Sequence, residues 1–373
     1  MSFLRNFFGT SAVPAKEEEK PIPIRALPAS WYTSKDMYEL ERRSIFSRKW
    51  LLTTHKHRIP NAGDSVRYDA AGYEFIVAKD NNGTITALHG NDLFPAHVHI
   101  DRNGFVWVNL DASETPEVAW KDDFEGVDEQ PRFDYYNFED YNFDHTWDME
   151  GAFNWKILAD NYNECYHCQV AHPDIPTIAD LHSYYVKTKA GHIQHYGAQR
   201  QDQIDKGFRI ATTYFWPNAS FNISPHFFFM QRFTPTSPTQ CVMRYEVYRH
   251  KDASDADFNL ISDMYKRIMS EDKYLCVNTQ KNLDAGVFVN GQLHPKMEQG
   301  PLHFQKTVRD VVVEHYGKEE TAGHQIWPAK RDLPADVAVS QDQENVALRT
   351  GGHVDTFKDA MGTGLSTVTA IAV

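Results

Sequence analysis

Cysteine is the residue this chain most conspicuously lacks: among 373 residues there are four, Cys165, Cys168, Cys241 and Cys276, and none precedes position 165. So few, so irregularly spaced, exclude a secreted disulfide framework and suit a reducing compartment. Long apolar runs are also missing, since no stretch of about eighteen such residues occurs, and Met1 to Pro14 has neither a continuous apolar core nor a small-residue cleavage site. A cytoplasmic protein is expected. Positive charge is scarce as well. The formal net charge is −13, which argues against nucleic acid or an anionic membrane as partner, because both would be repelled. With 41% hydrophobic and 13% aromatic residues, the chain can bury a large core.

Residues 1–27 mix charge with Pro14, Pro21 and Pro23, the composition of an arm. From Ser34, a plausible N-cap, Met37, Leu40, Ile45 and Phe46 recur near helical spacing, which predicts one helix to Trp50. Short runs follow at Ser65–Tyr68, Tyr73–Ala78, Thr84–Leu88, Ala96–Ile100 and Phe105–Leu110. Asn82-Gly83 and Asn103-Gly104 lie between them, so a small antiparallel sheet is expected over 28–125. An acidic, aromatic stretch (111–143) leads to a predicted helix over Asn154–Cys168. Strands are expected at Thr212–Trp216, Ala219–Ile223, His226–Phe233 and Cys241–Arg249. Helices are expected at about Ala256–Asn282 and Phe304–Tyr316, the second ended by Gly317. A catalytic domain over 126–317 and an extension over 318–373 complete the division.

The chemistry concentrates in Asn154-Trp-Lys-Ile-Leu-Ala-Asp160-Asn-Tyr-Asn-Glu164-Cys-Tyr-His167-Cys-Gln-Val-Ala-His172-Pro173. On a continuous helix Asp160, Glu164 and His167 share a face suited to a cation. Pro173 forces its predecessor out of the helical region, so His172 is free to turn back toward His167. Two imidazoles and one carboxylate with open positions form the facial triad of non-haem Fe(II) oxygenases. Asp272 is the best third ligand and Glu271 its competitor. A Cys/His zinc site using Cys165 and Cys168 is the rival reading. The aromatic runs Tyr214–Trp216 and Phe227–Phe229 read as sheet core, with some rings available to an apolar or cation-binding pocket.

The chain resembles the catalytic α subunits of Rieske-type ring-hydroxylating oxygenases, and among them the choline monooxygenase-like branch. The likeness runs through Leu27-Pro-Ala-Ser-Trp31-Tyr, Phe46-Ser-Arg-Lys-Trp50, Phe105-Val-Trp-Val-Asn-Leu110, Asn154-Trp-Lys156, Glu164-Cys-Tyr-His167 to His172-Pro173, and Gly300-Pro-Leu-His303-Phe304. It implies an α+β fold in which a helix-grip-like catalytic domain carries a small antiparallel β domain. It also implies Fe(II) held by His167, His172 and Asp272, with Glu164 linking the iron histidine to a neighbouring subunit's cluster. A small-molecule substrate, with quaternary ammonium ions among the candidates, would react with O2, and a homotrimer is implied.

The family's [2Fe–2S] centre needs a Cys-x-His and a Cys-x2-His pair. Here Thr84-Ile-Thr-Ala-Leu-His89 passes through Gly90-Asn91-Asp92 directly to Leu93-Phe-Pro-Ala-His97-Val-His99, without thiolates. The cluster is therefore expected to be absent, and His89, His97 and His99 cannot replace it. Three functions remain open: an oxygenase fed by an external electron donor or an oxidisable substrate, a non-redox enzyme using the metal as a Lewis acid, and a binding protein that keeps the pocket.

Overall fold

The computed structural model describes residues 25–90, 94–205 and 209–331, so most of the expected arm (1–27) and of the expected extension (318–373) lie outside the described residues. Six strands form the first sheet: β1 (Leu51–His55), β2 (Ser65–Ala70), β3 (Tyr73–Lys79), β4 (Ile85–His89), β5 (Phe94–Ile100) and β6 (Phe105–Asn109). Their order is β1-β6-β5-β4-β3-β2, with every neighbouring pair antiparallel. Turn chemistry fixes the hairpins. Asp80 Oδ1 accepts from the amides of Asn82 and Thr84, both at 2.8 Å, and leads into Gly83 at φ 85°. Gly104, at φ 91°, lies where a Cβ would come within 2.8 Å of His55 Nε2, so only glycine fits both the angle and the space. His89 stands in β4, and His97 and His99 in β5.

The second sheet has seven strands: β7 (Tyr141–Gly151), β8 (Ala179–Lys189), β9 (His192–Gln199), β10 (Ala211–Phe215), β11 (Ala219–Ile223), β12 (Phe227–Ser237) and β13 (Gln240–His250). They run in the order β7-β13-β12-β11-β10-β9-β8. Both faces are covered. On β12, Phe227, Phe229 and Phe233 belong to one buried cluster, shared with Phe258 and Phe304 of the helices, whereas Phe228 and Met230 belong to another, shared with Phe105 and Trp107 of the first sheet. Alternation between two buried faces explains a continuous apolar run in a strand.

Several predicted boundaries move. Instead of one helix over 34–50, short helices Ser30–Thr33 and Lys35–Glu41 precede a π-helical turn, Arg42–Phe46. Ser34 does cap the second helix, accepting from the Met37 amide at 3.3 Å. The hydroxyls of Ser44 and Ser47 each donate to a carbonyl four residues back, at 2.7 Å, which competes with regular helical bonding there. The helix expected over 256–282 spans Asp255–Asp284. The last helix runs Gln299–Ala322 and ends at Gly323, which is left-handed (φ 74°), so Gly317 lies inside it. Tertiary contacts carry the helix past Gly317: Arg43 grips Glu319 with two bonds of 2.6 and 2.9 Å, and Glu319 also accepts from the Ile326 amide at 3.0 Å.

Under the site, Lys156 Nζ donates to Glu41 Oε1 at 2.5 Å, and Trp155 Nε1 to Glu41 Oε2 at 2.9 Å, with both charged side chains wholly buried. This clamp holds the start of the helix Trp155–Tyr162 against the N-terminal helices. It is the physical role of the Asn154-Trp-Lys156 motif.

Candidate metal centre

The predicted helix over 154–168 is broken in two. Asn154 caps its first part by accepting from the Lys156 amide at 2.9 Å, and that part stops at Tyr162. Gly300 packs against the break so closely that a Cβ there would lie 2.0 Å from the Asn163 carbonyl oxygen. Asp160 consequently does not share a face with Glu164 and His167. It is buried, accepting from Tyr32 Oη at 2.7 Å and Gln305 Nε2 at 3.0 Å, and burial lifts its pKa to about 7.

Beyond the break, His167 and His172 flank a single turn, Cys168–Ala171. His172 takes φ −120° and ψ 90°, the extended backbone that Pro173 demands of its predecessor. Asp272 reaches the same point from the helix Asp255–Asp284. Nε2 of His167 lies 3.2 Å from Nε2 of His172, and Asp272 Oδ1 lies 3.3 and 3.1 Å from the two nitrogens. Adjacent donors on an ion with bonds of about 2.1 Å at right angles stand about 3 Å apart. The triangle has this size.

Each histidine is held from behind. Glu164 Oε1 accepts from His167 Nδ1, while Glu164 Oε2 accepts from the amides of Tyr166 and His167. Glu271 Oε2 accepts from His172 Nδ1 at 2.8 Å. Carboxylates on both outer nitrogens turn both Nε2 atoms inward and raise their basicity. Glu271 thus supports a histidine instead of joining the triangle.

Asp272 Oδ1 is buried and faces the two imidazole nitrogens with no well-aligned hydrogen bond, so the donor set suits a cation: two imidazoles and one carboxylate oxygen. Burial would lower the pKa of His167, but hydrogen bonds to Asp272 and Glu164 outweigh it and raise the value to about 9. His172 is raised likewise. For Asp272 burial is overcome by the two histidines, which hold its carboxyl below the usual range. A metal binding here therefore has to displace a proton from His167.

A cavity of about 210 Å³ opens over the triangle, lined among others by Asn161, Tyr162, Tyr184, His195, Tyr265 and Met269. Asn161 Nδ2 lies 3.3 Å from His167 Nε2, and Tyr184 Oη lies 2.8 Å from His195 Nδ1. Burial pulls the His195 pKa down to about 3, so this imidazole is neutral and Nδ1 accepts. These wall residues escaped the sequence reading. Tyr184 and His195 come from β8 and β9, which carry no clear alternation, whereas Asn161 stood within the informative segment and was findable as a polar neighbour of His167. Cys165 and Cys168, the zinc candidates, are bonded to each other and also line the cavity.

Residues 138–314 match the family described as the ring hydroxylating alpha subunit, catalytic domain. Among relatives, the carnitine monooxygenase oxygenase subunit of Acinetobacter baumannii is 21% identical over 75% of this chain and 93% of its own length. The chloroplastic choline monooxygenase of Atriplex hortensis is 21% identical over 80% of each. A solved quaternary ammonium Rieske monooxygenase shares the fold with a TM-score of 0.69 at 19% identity, covering 78% of this chain and 96% of its own. Naphthalene 1,2-dioxygenase from Rhodococcus sp. does so at 0.61 and 14%, covering 78% and 95%. The expected α+β class, catalytic sheet flanked by helices, agrees with both.

Proposed function

We propose that this protein is a mononuclear non-haem iron oxygenase, with His167, His172 and Asp272 as its ligands, acting with O2 on a small and largely apolar or cationic organic substrate. The triangle of donors 3.1–3.3 Å apart carries the reading. Bound there, Fe(II) would supply O2 activation through the positions left open by three protein ligands. Glu164 and Glu271 orient the imidazoles. Asn161 offers an amide at the triangle's edge, and the ring-lined cavity keeps bulk water from the reacting carbon.

Carnitine, choline and glycine betaine monooxygenases among the relatives suggest a quaternary ammonium substrate. The tyrosines of the cavity, with Asp180 at its wall, suit a cation.

Monooxygenation needs two electrons from outside the substrate. The absence of cysteine before Cys165, and a β4–β5 connection without room for cluster-bearing loops between Gly90 and Phe94, support a chain without a Rieske cluster of its own. Electrons then come from a separate donor protein, entering at Glu164, which is half-buried behind His167. A homotrimer in the cytoplasm belongs to the same reading.

The test is elemental analysis after anaerobic loading with Fe(II), together with oxygen uptake in the presence of a reductant. About one iron per chain, lost in His167→Ala and Asp272→Ala, is expected. Full iron retention in both variants would sink the assignment.

A further inference from the structure

The Cys165-x-x-Cys168 pair brackets a proposed metal ligand, and nothing in the oxygenase reading uses it. Cys168 is buried, and its sulfur belongs to a set in which one donor atom each of His167, Cys168 and His172 lie within 4.8 Å of one another. Cys165 is half-buried at the cavity, within reach of a small reductant. Both sulfurs are engaged with each other in this structure. The cross-link withholds a sulfur donor from the two imidazoles beside it.

We propose that the Cys165–Cys168 bond gates the metal preference of the site: when it is reduced, Cys168 joins His167, His172 and Asp272 in a closed four-coordinate set that takes zinc in place of iron. The inference rests on the triad reading above. A tetrahedral ion with Zn–S of about 2.3 Å and Zn–N of about 2.05 Å spaces sulfur and nitrogen about 3.6 Å apart. Sulfur and imidazole nitrogens already lie within 4.8 Å of one another, so the approach to each nitrogen needs at most a shift of roughly 1 Å, the scale of a side-chain rotation once the cross-link is cut. Thiolate ligation favours soft ions, whereas the imidazole and carboxylate donors alone suit Fe(II). A fourth protein ligand also fills a position that O2 chemistry needs, as in structural zinc sites. Oxidised, the site stays open.

The redox step balances simply. An external dithiol breaks the S–S bond and gives one hydrogen to each cysteine while closing to its own disulfide. On ligation the Cys168 thiol hydrogen leaves to solvent as a proton.

Cobalt(II) tests this directly, since sulfur ligation gives an intense near-ultraviolet charge-transfer band that nitrogen and oxygen ligation does not. Full-length metal-free chain is titrated anaerobically, either oxidised or reduced with dithiol that is then removed, with thiols counted by alkylation and mass. The band is expected only in the reduced protein, and lost in Cys168→Ser. Cys165→Ser, which frees Cys168 permanently, is expected to show it under both conditions. Cobalt bound without the band in the reduced protein, or a band that survives in Cys168→Ser through Cys241 or Cys276, overturns the gate while leaving the triad intact. Failure of the oxidised protein and of Cys168→Ser to bind cobalt at all would instead overturn the triad.

Discussion

Asp272 and Glu271 are adjacent acids on one helix with different tasks. Successive helical residues point about 100° apart, so one side chain enters the triangle and the other approaches His172 from outside. The sequence favours Asp272 over its competitor Glu271, and the geometry supports that reading: the Asp272 side chain is 9% exposed and faces both Nε2 atoms, while Glu271 is 27% exposed and meets the outer nitrogen of His172. Asp272→Ala is expected to abolish iron retention. Glu271→Gln is expected to weaken iron affinity by about 10- to 100-fold while leaving a loaded enzyme, as measured by competition with a chelator. Equal losses in the two variants would contradict the division of labour. His167, His172 and Glu164 were legible because Pro173 and the spacing of the segment constrain them locally. Asp160 was misread because the break at Asn163 is imposed by Gly300, which lies 137 residues further along the chain and exerts no local signal.

At the scale of elements, the same contact predicts a structural effect. Gly300→Ala puts a methyl group against the Asn163 carbonyl and is expected to destabilise the fold by about 1–3 kcal/mol in denaturant titration. Gly317→Ala is expected to do the reverse, adding about 0.5–1 kcal/mol, because Gly317 is an exposed mid-helix residue whose Cβ would meet nothing within 4 Å. The buried clamp behaves differently again. Lys156→Met leaves the buried Glu41 with the Trp155 hydrogen bond but no counter-charge, a loss of about 3–5 kcal/mol. The sequence announced the central strands β10 to β13 by composition. It hid β7, where Asp144, Asp148 and Glu150 alternate with core residues inside an acidic stretch, and hid β8 and β9, whose side chains are largely outside the core.

For the whole molecule, sensitivity to acid follows from an imidazole held neutral. Burial, aided by neighbouring His57, pulls the His55 pKa down to about 3. Its Nε2 lies 2.9 Å from the Asn103 carbonyl and its Nδ1 lies 3.3 Å from the His57 amide, a pairing that needs the neutral ring, with Nε2–H donating and Nδ1 accepting. An unfolded chain protonates this histidine below about pH 6.5, while the folded one does so only near 3, so its contribution is complete above 6.5 and lost as pH falls. The loss is on the order of 1 kcal/mol per pH unit. His55→Gln is expected to show a shallower decline of urea midpoint between pH 6 and 4 than the parent, and an unchanged slope would count against this account. Elemental analysis belongs to the same scale: iron at about one per chain, without acid-labile sulfide, is the expected composition, and sulfide in the purified protein would refute the single-metal reading.

The placement of β12 in the interior of a sheet covered on both faces has a kinetic corollary. Its amides have no route to solvent short of global unfolding, so they should be the slowest to exchange for deuterium. Strand β8 stands at the sheet's edge with many exposed side chains, and its amides should exchange through local opening within far shorter times. Ala179, Asp180, Leu181 and Tyr184 of that strand border the cavity. The faster exchange is therefore expected on the wall of the chamber formed by β8, not on the long helix that carries Asp272.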